Sequence, residues 1–298
     1  MLDLTHLRSF VALAEELHFG RAARRLNMTQ PPLSRQIQLL EAELGVRLLD
    51  RSRHAVALTA PGHAFLPEAR ALLSASERAA QVARRAMQSR GRGVVSLGFI
   101  GASTYAFLPR LVSQARTELP DTEIVLKEMD GATQLEALRM GRLDIGLVRP
   151  SSMPDAVSSS CVMREGLALA LPLGHPLIAR RRLGLRDLAG ERFIMYSKDG
   201  PYMHALLSNT FAAAGVQPCV VQAVSQAHTI LSLVSAGTGV ALVPEEARNA
   251  SFDNVTFRPI TIPSAPLVEL HAVWRPDNAN PALEPLRDLL HRIALPRP

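Results

Sequence analysis

A chain of 298 residues, 47% of them hydrophobic, is long enough for about two domains with sizeable cores. Charged residues punctuate its start, which excludes a secretory signal from the reading. No run of 18 apolar residues is available to span a membrane: residues 200–244 lack Asp, Glu, Lys and Arg, but Gly, Pro, Ser, Asn, Gln, His and Thr interrupt them throughout. The formal net charge is +6, and residues 1–90 carry 13 Arg and no Lys against eight acidic residues, so nearly all of the excess lies in the first third. Such a concentrated basic segment is the footprint of a phosphate-binding module.

Three helices open the chain. Leu4, Leu7, Phe10, Val11, Ala14 and Leu17 give residues 4–17 one apolar face. "FGRAARRLN", residues 19–27, is a shorter helix with Ala22, Ala23 and Leu26 inward, and "NMT" turns the chain into the third. There Leu33, Ile37, Leu40 and Leu44 make a thin inward stripe, while Ser34, Arg35 and Gln38 face outward. Pro31 and Pro32 do not oppose this helix. First-turn N–H groups have no intrahelical partner, so proline loses nothing there and fixes where the helix begins. Thr29 or Gln30 is the cap, Thr29 being the better capping type. Gly45 ends the helix. Val46–Leu49 and Ala55–Leu58 read as two short strands around a basic tip that carries Arg51 and Arg53. A short helix, a tight turn and a helix with polar outward residues is the helix-turn-helix plan, whose second helix enters the DNA major groove.

The stretch "FVALAEELHFGRAARRLNMTQPPLSRQIQLLEAELGVRLLDRSRHAVALTAPG" resembles the N-terminal domain of LysR-type transcriptional regulators. The family pattern A-x-x-L-x-x-(S/T)-Q-(P/S)-x-(L/V)-S-R-Q-I-x-x-L-E-x-x-L-G-x-x-L-(F/L)-x-R, followed by L-T-x-x-G, runs through it with hardly a gap and covers about the first 65 residues. Leu49 stands where Phe is more frequent, an exchange of one apolar residue for another. The resemblance implies a winged helix-turn-helix domain over residues 1–60, a linker helix that pairs with its copy over 61–90, and an α/β periplasmic-binding-protein-like effector domain over 91–298. It also implies a homotetramer built as a dimer of dimers, which bends an operator of dyad symmetry in double-stranded promoter DNA, where RNA polymerase would be a further partner. Thr29, Gln30, Pro31, Ser34, Arg35 and Gln38 are then the recognition-helix candidates, with Arg35 suited to a bidentate contact with guanine or a phosphate. Arg51 and Arg53 on the wing would sit near phosphates or the minor groove.

Residues 60–88 keep a helical period through Phe65, Ala69, Leu72, Ser76, Ala79, Ala83 and Ala86. Leu66, Leu73 and Met87 widen that stripe beyond what a lone exposed helix carries. The helix packs on its own domain, or on a second copy. "SRGRG", residues 89–93, breaks it. Strand and helix patterns then alternate to the end, which implies a mainly parallel sheet covered on both faces. Two such runs divide near residue 164, giving subdomain I over about 91–163 and 267–298 and subdomain II over about 164–266.

Open α/β sheets bind ligands at the C-terminal ends of their strands. "GFIGASTY" places Ser103 and Thr104 there, "EMDGAT" places Gly131 and Thr133, "MYSKDGPY" places Tyr196, Ser197 and Tyr202, and "AVSQAHT" places Ser225, Gln226 and His228. In the resembling family, hydroxyls after the first strand and after the "E-M" strand contact the effector. Here these positions fall at Ala102–Ser103 and at Gly131, so the second contact is either lost or shifted to Thr133. Free N–H groups at helix starts suit an anion, and Phe107, Tyr196 and Tyr202 can supply an apolar wall. These segments loosely resemble family members that respond to benzoate and muconate-like acids of aromatic catabolism, so the expected effector is an aromatic or unsaturated organic acid. Arg149 is the nearest cation, with a hinge ion pair as its other role.

The remaining signals are weak. There is no G-x-S-x-G nucleophile turn, "GTG" at 237–239 lacks the flanks of a dinucleotide loop, and nine histidines give no HExxH or metal-like spacing. No enzyme activity, cofactor or metal is expected. A protein-docking basic helix is the other alternative class. Cys161 and Cys219, far apart and without a CxxC, read as reduced, buried small side chains in a cytoplasmic protein.

Overall fold

The computed structural model describes residues 2–51, 56–88, 93–151, 153, 154, 156–263 and 266–294, which fall into two units, residues 1–88 and 89–298. The first contains α1 (Leu4–Glu16), α2 (Phe19–Arg25), α3 (Gln30–Leu44), β1 (Leu49–Arg51), β2 (Val56–Leu58) and α4 (Ala60–Gln88). Leu7, Phe10 and Leu13 of α1, Ala22 and Ala23 of α2, and Leu33, Ile37 and Leu40 of α3 form one buried core. Asp3 caps α1 by accepting the Thr5 N–H at 2.7 Å. Asn27 turns the chain between α2 and α3 at a φ of +53°, a conformation that asparagine tolerates.

The wing strands start later than the expected Val46–Leu49 and Ala55–Leu58. Glu41 Oε1 accepts the N–H groups of Leu48 and Leu49 at 2.9 and 3.1 Å, so the chain after Gly45 is first bound to the side of α3 and pairs as β1–β2 only from Leu49. Residues 52–55, with Arg53, lie outside the described residues, as does the side chain of Arg51. The apolar stripe of α4 is divided. Phe65, Leu66, Ala69 and Leu73 join the core of their own unit, where the Phe65 and Phe10 rings lie 5.6 Å apart. Leu72, Ala79 and Ala83 are exposed.

The second unit alternates β3 (Gly93–Phe99), α5 (Phe107–Glu118), β4 (Thr122–Glu128), α6 (Gly131–Arg139), β5 (Ile145–Val148) and β6 (Ser158–Glu165). It continues with β7 (Leu167–Pro172), β8 (Arg192–Tyr196), α7 (Pro201–Ala214), β9 (Cys219–Val224), α8 (Ala227–Ser235), β10 (Ala241–Pro244) and β11 (Val255–Pro259), and returns through β12 (Val268–Trp274) and α9 (Leu283–Ala294). One sheet has the order β4-β3-β5-β12-β6. The other half has β10-β7-β11, linked to the β8-β9 pair through a parallel bridge between Phe193 and Val240.

The expectation of a mainly parallel sheet holds, with one exception in each half. In each half one strand runs against the rest. β12 pairs antiparallel with β5 and β6, and β7 pairs antiparallel with β10 and β11. The reason is the path of the chain. β6 leads out of the first half, β7 leads into the second, and β12 carries the chain back, so an outgoing and a returning strand must oppose each other.

Gln134 of α6 is fully buried and donates its amide to Met129 O and Leu147 O, at 3.0 and 3.1 Å. Gly98 and Gly146 make room for it, since a Cβ on either would meet the Gln134 Oε1 at 2.9 or 2.6 Å. The cysteine reading is also corrected: Cys161 is half-buried and Cys219 is exposed on β9.

Candidate nucleic-acid interface and effector cleft

Helix α3 is anchored by Leu33, Ile37 and Leu40 and offers Thr29, Gln30, Pro31, Arg35 and Gln38 exposed, with Ser34 half-buried. Thr29 occupies the cap position, but its side chain caps nothing. A capping side chain accepts from the second or third helical N–H, and here those residues are Pro31 and Pro32. Of the first three helical positions only Gln30 keeps an N–H, so side chains, rather than the helix end, must make most of the polar contacts on this face. Other arginines of the unit are engaged: Arg21 pairs with Glu16 at 3.2 Å, while Arg25 and Arg70 both pair with Glu15 at 2.7 Å. Those arginines hold Glu15 below its ordinary range against the opposing effect of burial. Arg35 holds no ion pair among the described residues. Two supporting contacts escaped the sequence reading. Ser9 of α1 donates its buried hydroxyl to Gln36 Oε1 of α3, and Glu41 seats the wing as described above. The only sequence sign of either was a polar residue on an otherwise apolar helix face.

In the second unit, segments from both halves meet at Gly101. A Cβ there would lie 3.4 Å from Glu128 Oε1, at the end of β4, and 3.9 Å from Gln226 Oε1, which precedes α8. Thr104 lies in the same turn, with its hydroxyl bonded to Gly101 O at 2.6 Å. Several expected contacts are not there. Ser103 is fully buried and donates its hydroxyl to Ile100 O at 2.8 Å, a local turn bond. Phe107 is fully buried in the first-half core beneath Arg110 and forms no cleft wall. Thr133 is exposed, and its N–H and hydroxyl bind Asp130 at 2.9 and 2.7 Å. Those bonds hold the Asp130 carboxyl below its ordinary range. The protein's own carboxylate therefore already occupies the start of α6. Ser197 makes a 3.4 Å contact with Asp199, and the His228 ring packs on Phe252.

Arg149 takes its structural role. Its guanidinium donates to Glu165 Oε1 at 3.1 Å and to Glu269 O at 2.9 Å, and the two charged side chains are only 10% and 6% exposed. Tyr202 joins the same place by accepting the Glu269 N–H at 2.9 Å. Tyr196 is 2% exposed and has a buried hydroxyl without a partner among the described residues. Burial pushes that phenol well above its ordinary pKa. The second oxygen of Glu165 accepts the Glu246 N–H at 2.7 Å, and Glu246 Oε2 is buried without a partner among the described residues. A groove of about 600 Å³ between Pro150, Pro201, Leu206 and Pro266 shares only Tyr202 with the candidate set.

A family model described as "Bacterial regulatory helix-turn-helix protein, lysR family" matches residues 4–63, and one for the LysR substrate binding domain matches residues 88–294. The chain belongs to the LysR family of transcriptional regulators. HTH-type transcriptional regulator AlsR of Bacillus subtilis is 38% identical over 288 residues, 95% of this chain and 93% of AlsR. The crystal structure of full-length CbnR complexed with its target DNA is similar at a TM-score of 0.62 and 29% identity, over 97% or more of both chains. The BenM effector binding domain with its effector benzoate is similar at a TM-score of 0.60 and 28% identity, covering 67% of this chain and 91% of that one. This LysR-family chain is thus a DNA-binding transcriptional regulator with an effector-binding domain, and not an enzyme. No helix among the described residues is long and apolar enough to cross a membrane.

Glu246 gives this family member a pH signature. Burial first, and then the charge of Glu165, push its carboxyl above the ordinary value of 4.5. A raised pKa in the fold means that the ionised form opposes folding. That cost is absent below about 4.5 and sets in as pH rises through the folded value. Glu246→Gln should therefore raise the Tm at pH 7 above that of the wild type, with the gap closing as pH falls toward 4.5. A gap that widens on acidification contradicts the assignment.

Proposed function

We propose that α3 enters the major groove of promoter DNA and that Arg35 makes its principal base contact. The observation that carries this is the α3 face itself: Thr29, Gln30, Ser34, Arg35 and Gln38 stand opposite the buried Leu33, Ile37 and Leu40, and Arg35 holds no ion pair among the described residues, while Arg21, Arg25 and Arg70 do. Arg51 and Arg53 supply phosphate or minor-groove contacts from the wing. The exposed Leu72, Ala79 and Ala83 of α4 form the seam on which two copies pair, and two such dimers make the tetramer that binds a dyad operator in the cytoplasm. RNA polymerase is the partner at the promoter.

A good bidentate base contact contributes about 1–3 kcal/mol, and a dyad operator meets each change at least twice. Arg35→Ala should lower operator affinity by tenfold or more and bring it close to the affinity for random DNA, read by fluorescence anisotropy at one fixed salt concentration. Unchanged affinity and unchanged discrimination would remove Arg35 from base readout.

We further infer that the effector is a small organic acid, aromatic or unsaturated, held where the two halves meet at Gly101. The support is the likeness to the BenM domain that holds benzoate and the convergence of Gly101, Thr104 and Gln226 from both halves. Arg149 is committed to Glu165, so neutral donors must receive the acid: the backbone N–H groups of Gly101 and Ala102, since that of Ser103 is bonded to Ile100 O at 2.9 Å, and the Gln226 amide. Tyr196 and Tyr202 line its inner end. A thermal-shift screen of the full chain with organic acids, sugars, amino acids and nucleotides should give its shifts with the acids. Gln226→Ala should weaken the best acid about tenfold, the equivalent of one charge-assisted hydrogen bond. Shifts confined to sugars or nucleotides reject the acid. An acid indifferent to Gln226→Ala rejects the site.

A further inference from the structure

Cys161, Glu269 and His271 each offer one ligand atom, and the three atoms lie within 4.8 Å of one another. Nothing in the linear sequence suggests the group, because it is assembled by strand pairing. His271 of β12 stands directly across from Cys161 of β6, and Glu269 across from Arg164. Glu269 and His271 are two positions apart, so they share one face of the sheet. A bulge is needed to bring in the cysteine. The register shifts between Leu270 and His271, leaving Val162 as the extra residue. Val162 turns into the core at 1% exposure, and Cys161 comes round to the face of Glu269 and His271. Re-aiming a side chain is a recurrent use of a bulge beside a functional site.

The polar bonds of the group are incomplete in an informative way. His271 Nε2 lies 2.9 Å from Glu269 Oε2, while Arg164 Nε donates to Glu269 Oε1 at 2.8 Å. His271 Nδ1 is buried with no hydrogen-bond partner among the described residues. That nitrogen lies on the far edge of the ring, so Nε2 is the one turned to the carboxylate, and the Cys161 thiol donates to Met163 O at 3.4 Å. Cys161 also lines a cavity of about 490 Å³ with Arg110, Gln114, Arg164, Glu246 and Arg292, whereas Glu269 and His271 lie off that cavity.

We propose that Cys161, Glu269 and His271 form a three-ligand binding site for a divalent ion of the zinc class, with a water as the fourth ligand. The donor set decides the class. A thiolate beside an imidazole and one carboxylate oxygen suits zinc and its neighbours, whereas magnesium and calcium require oxygen. Zinc bonds of about 2.0–2.3 Å in a tetrahedron separate ligand atoms by roughly 3.3–3.8 Å, which small rotamer shifts reach from the present spacing. Arg164, by holding Oε1, leaves Oε2 to the metal and fixes the carboxylate plane, the outer-shell role that such partners play. The position is also connected. Glu269 gives its carbonyl to Arg149 and its N–H to Tyr202. An ion held on this residue braces the outgoing and returning strands at the hinge of the effector cleft.

The test uses Co²⁺ as an optical probe on the full-length reduced protein. One equivalent per chain should produce a near-ultraviolet thiolate-to-cobalt charge-transfer band with intense visible bands of tetrahedral cobalt, and Zn²⁺ should displace both. Cys161→Ser should abolish the near-ultraviolet band, His271→Ala should weaken binding by at least about tenfold, and Cys219→Ser should leave the spectrum unchanged. The wild-type spectrum needs no variant to fold. Absence of the charge-transfer band from the wild type overturns the site, as does a band that survives Cys161→Ser and disappears with Cys219→Ser.

Discussion

The second unit is organised around a buried cation. Arg149 ends the first βα run, and its guanidinium is held by Glu165 at the outgoing crossover and by the Glu269 carbonyl at the returning one. Glu165 in turn binds the Glu246 N–H, and Tyr202 binds the Glu269 N–H. Four chain segments thus converge on one charge that is cut off from water. Removing two ions from water costs several kcal/mol each, and their attraction offsets this only with good geometry and further hydrogen bonds. Here the extra bonds are present, and they are the ones that link the two halves. The same commitment governs ligand chemistry: a guanidinium already held on two sides is not free for an incoming carboxylate.

The first unit ties several of its cations to acidic neighbours and leaves Arg35 without an ion pair among the described residues. Arg21, Arg25 and Arg70 are tied to Glu15 and Glu16 on the α1 side. The two prolines remove donors from the start of α3, and Glu41 binds the wing to its flank. The outer face of α3 is left with Arg35 and neutral polar groups. Exposed ion pairs contribute little to stability, so their effect here is to neutralise Glu15 and Glu16 rather than to hold the unit together.

Local patterns were legible in the sequence, and non-local ones were not. Leu33, Ile37 and Leu40 announced the buried side of α3 by spacing alone, and Pro31 and Pro32 marked its start. The strand-end rule led to the loops from which the proposed effector site is drawn but misjudged side-chain direction inside them. Ser103 folds back on Ile100 in a tight turn, and Phe107 opens a helix whose inner face continues through Leu108, Leu111 and Ala115. The wing started late because Glu41, several residues upstream, competes for the backbone. The reversed strands β7 and β12, and the bulge that places Cys161 against His271, depend on pairings across about 70 to 130 residues. No window of sequence displays them.

The account rests most heavily on the coupling between Arg149 and Glu165, and a double-mutant cycle measures it directly. Arg149→Met, Glu165→Gln and the pair together are compared by urea denaturation; Gln keeps an acceptor for the Glu246 N–H. Each single change leaves one buried group without its partner and should cost about 3–5 kcal/mol, while the double variant recovers most of one loss because no uncompensated charge remains. Strictly additive losses, with no coupling, would contradict a hinge held by this pair.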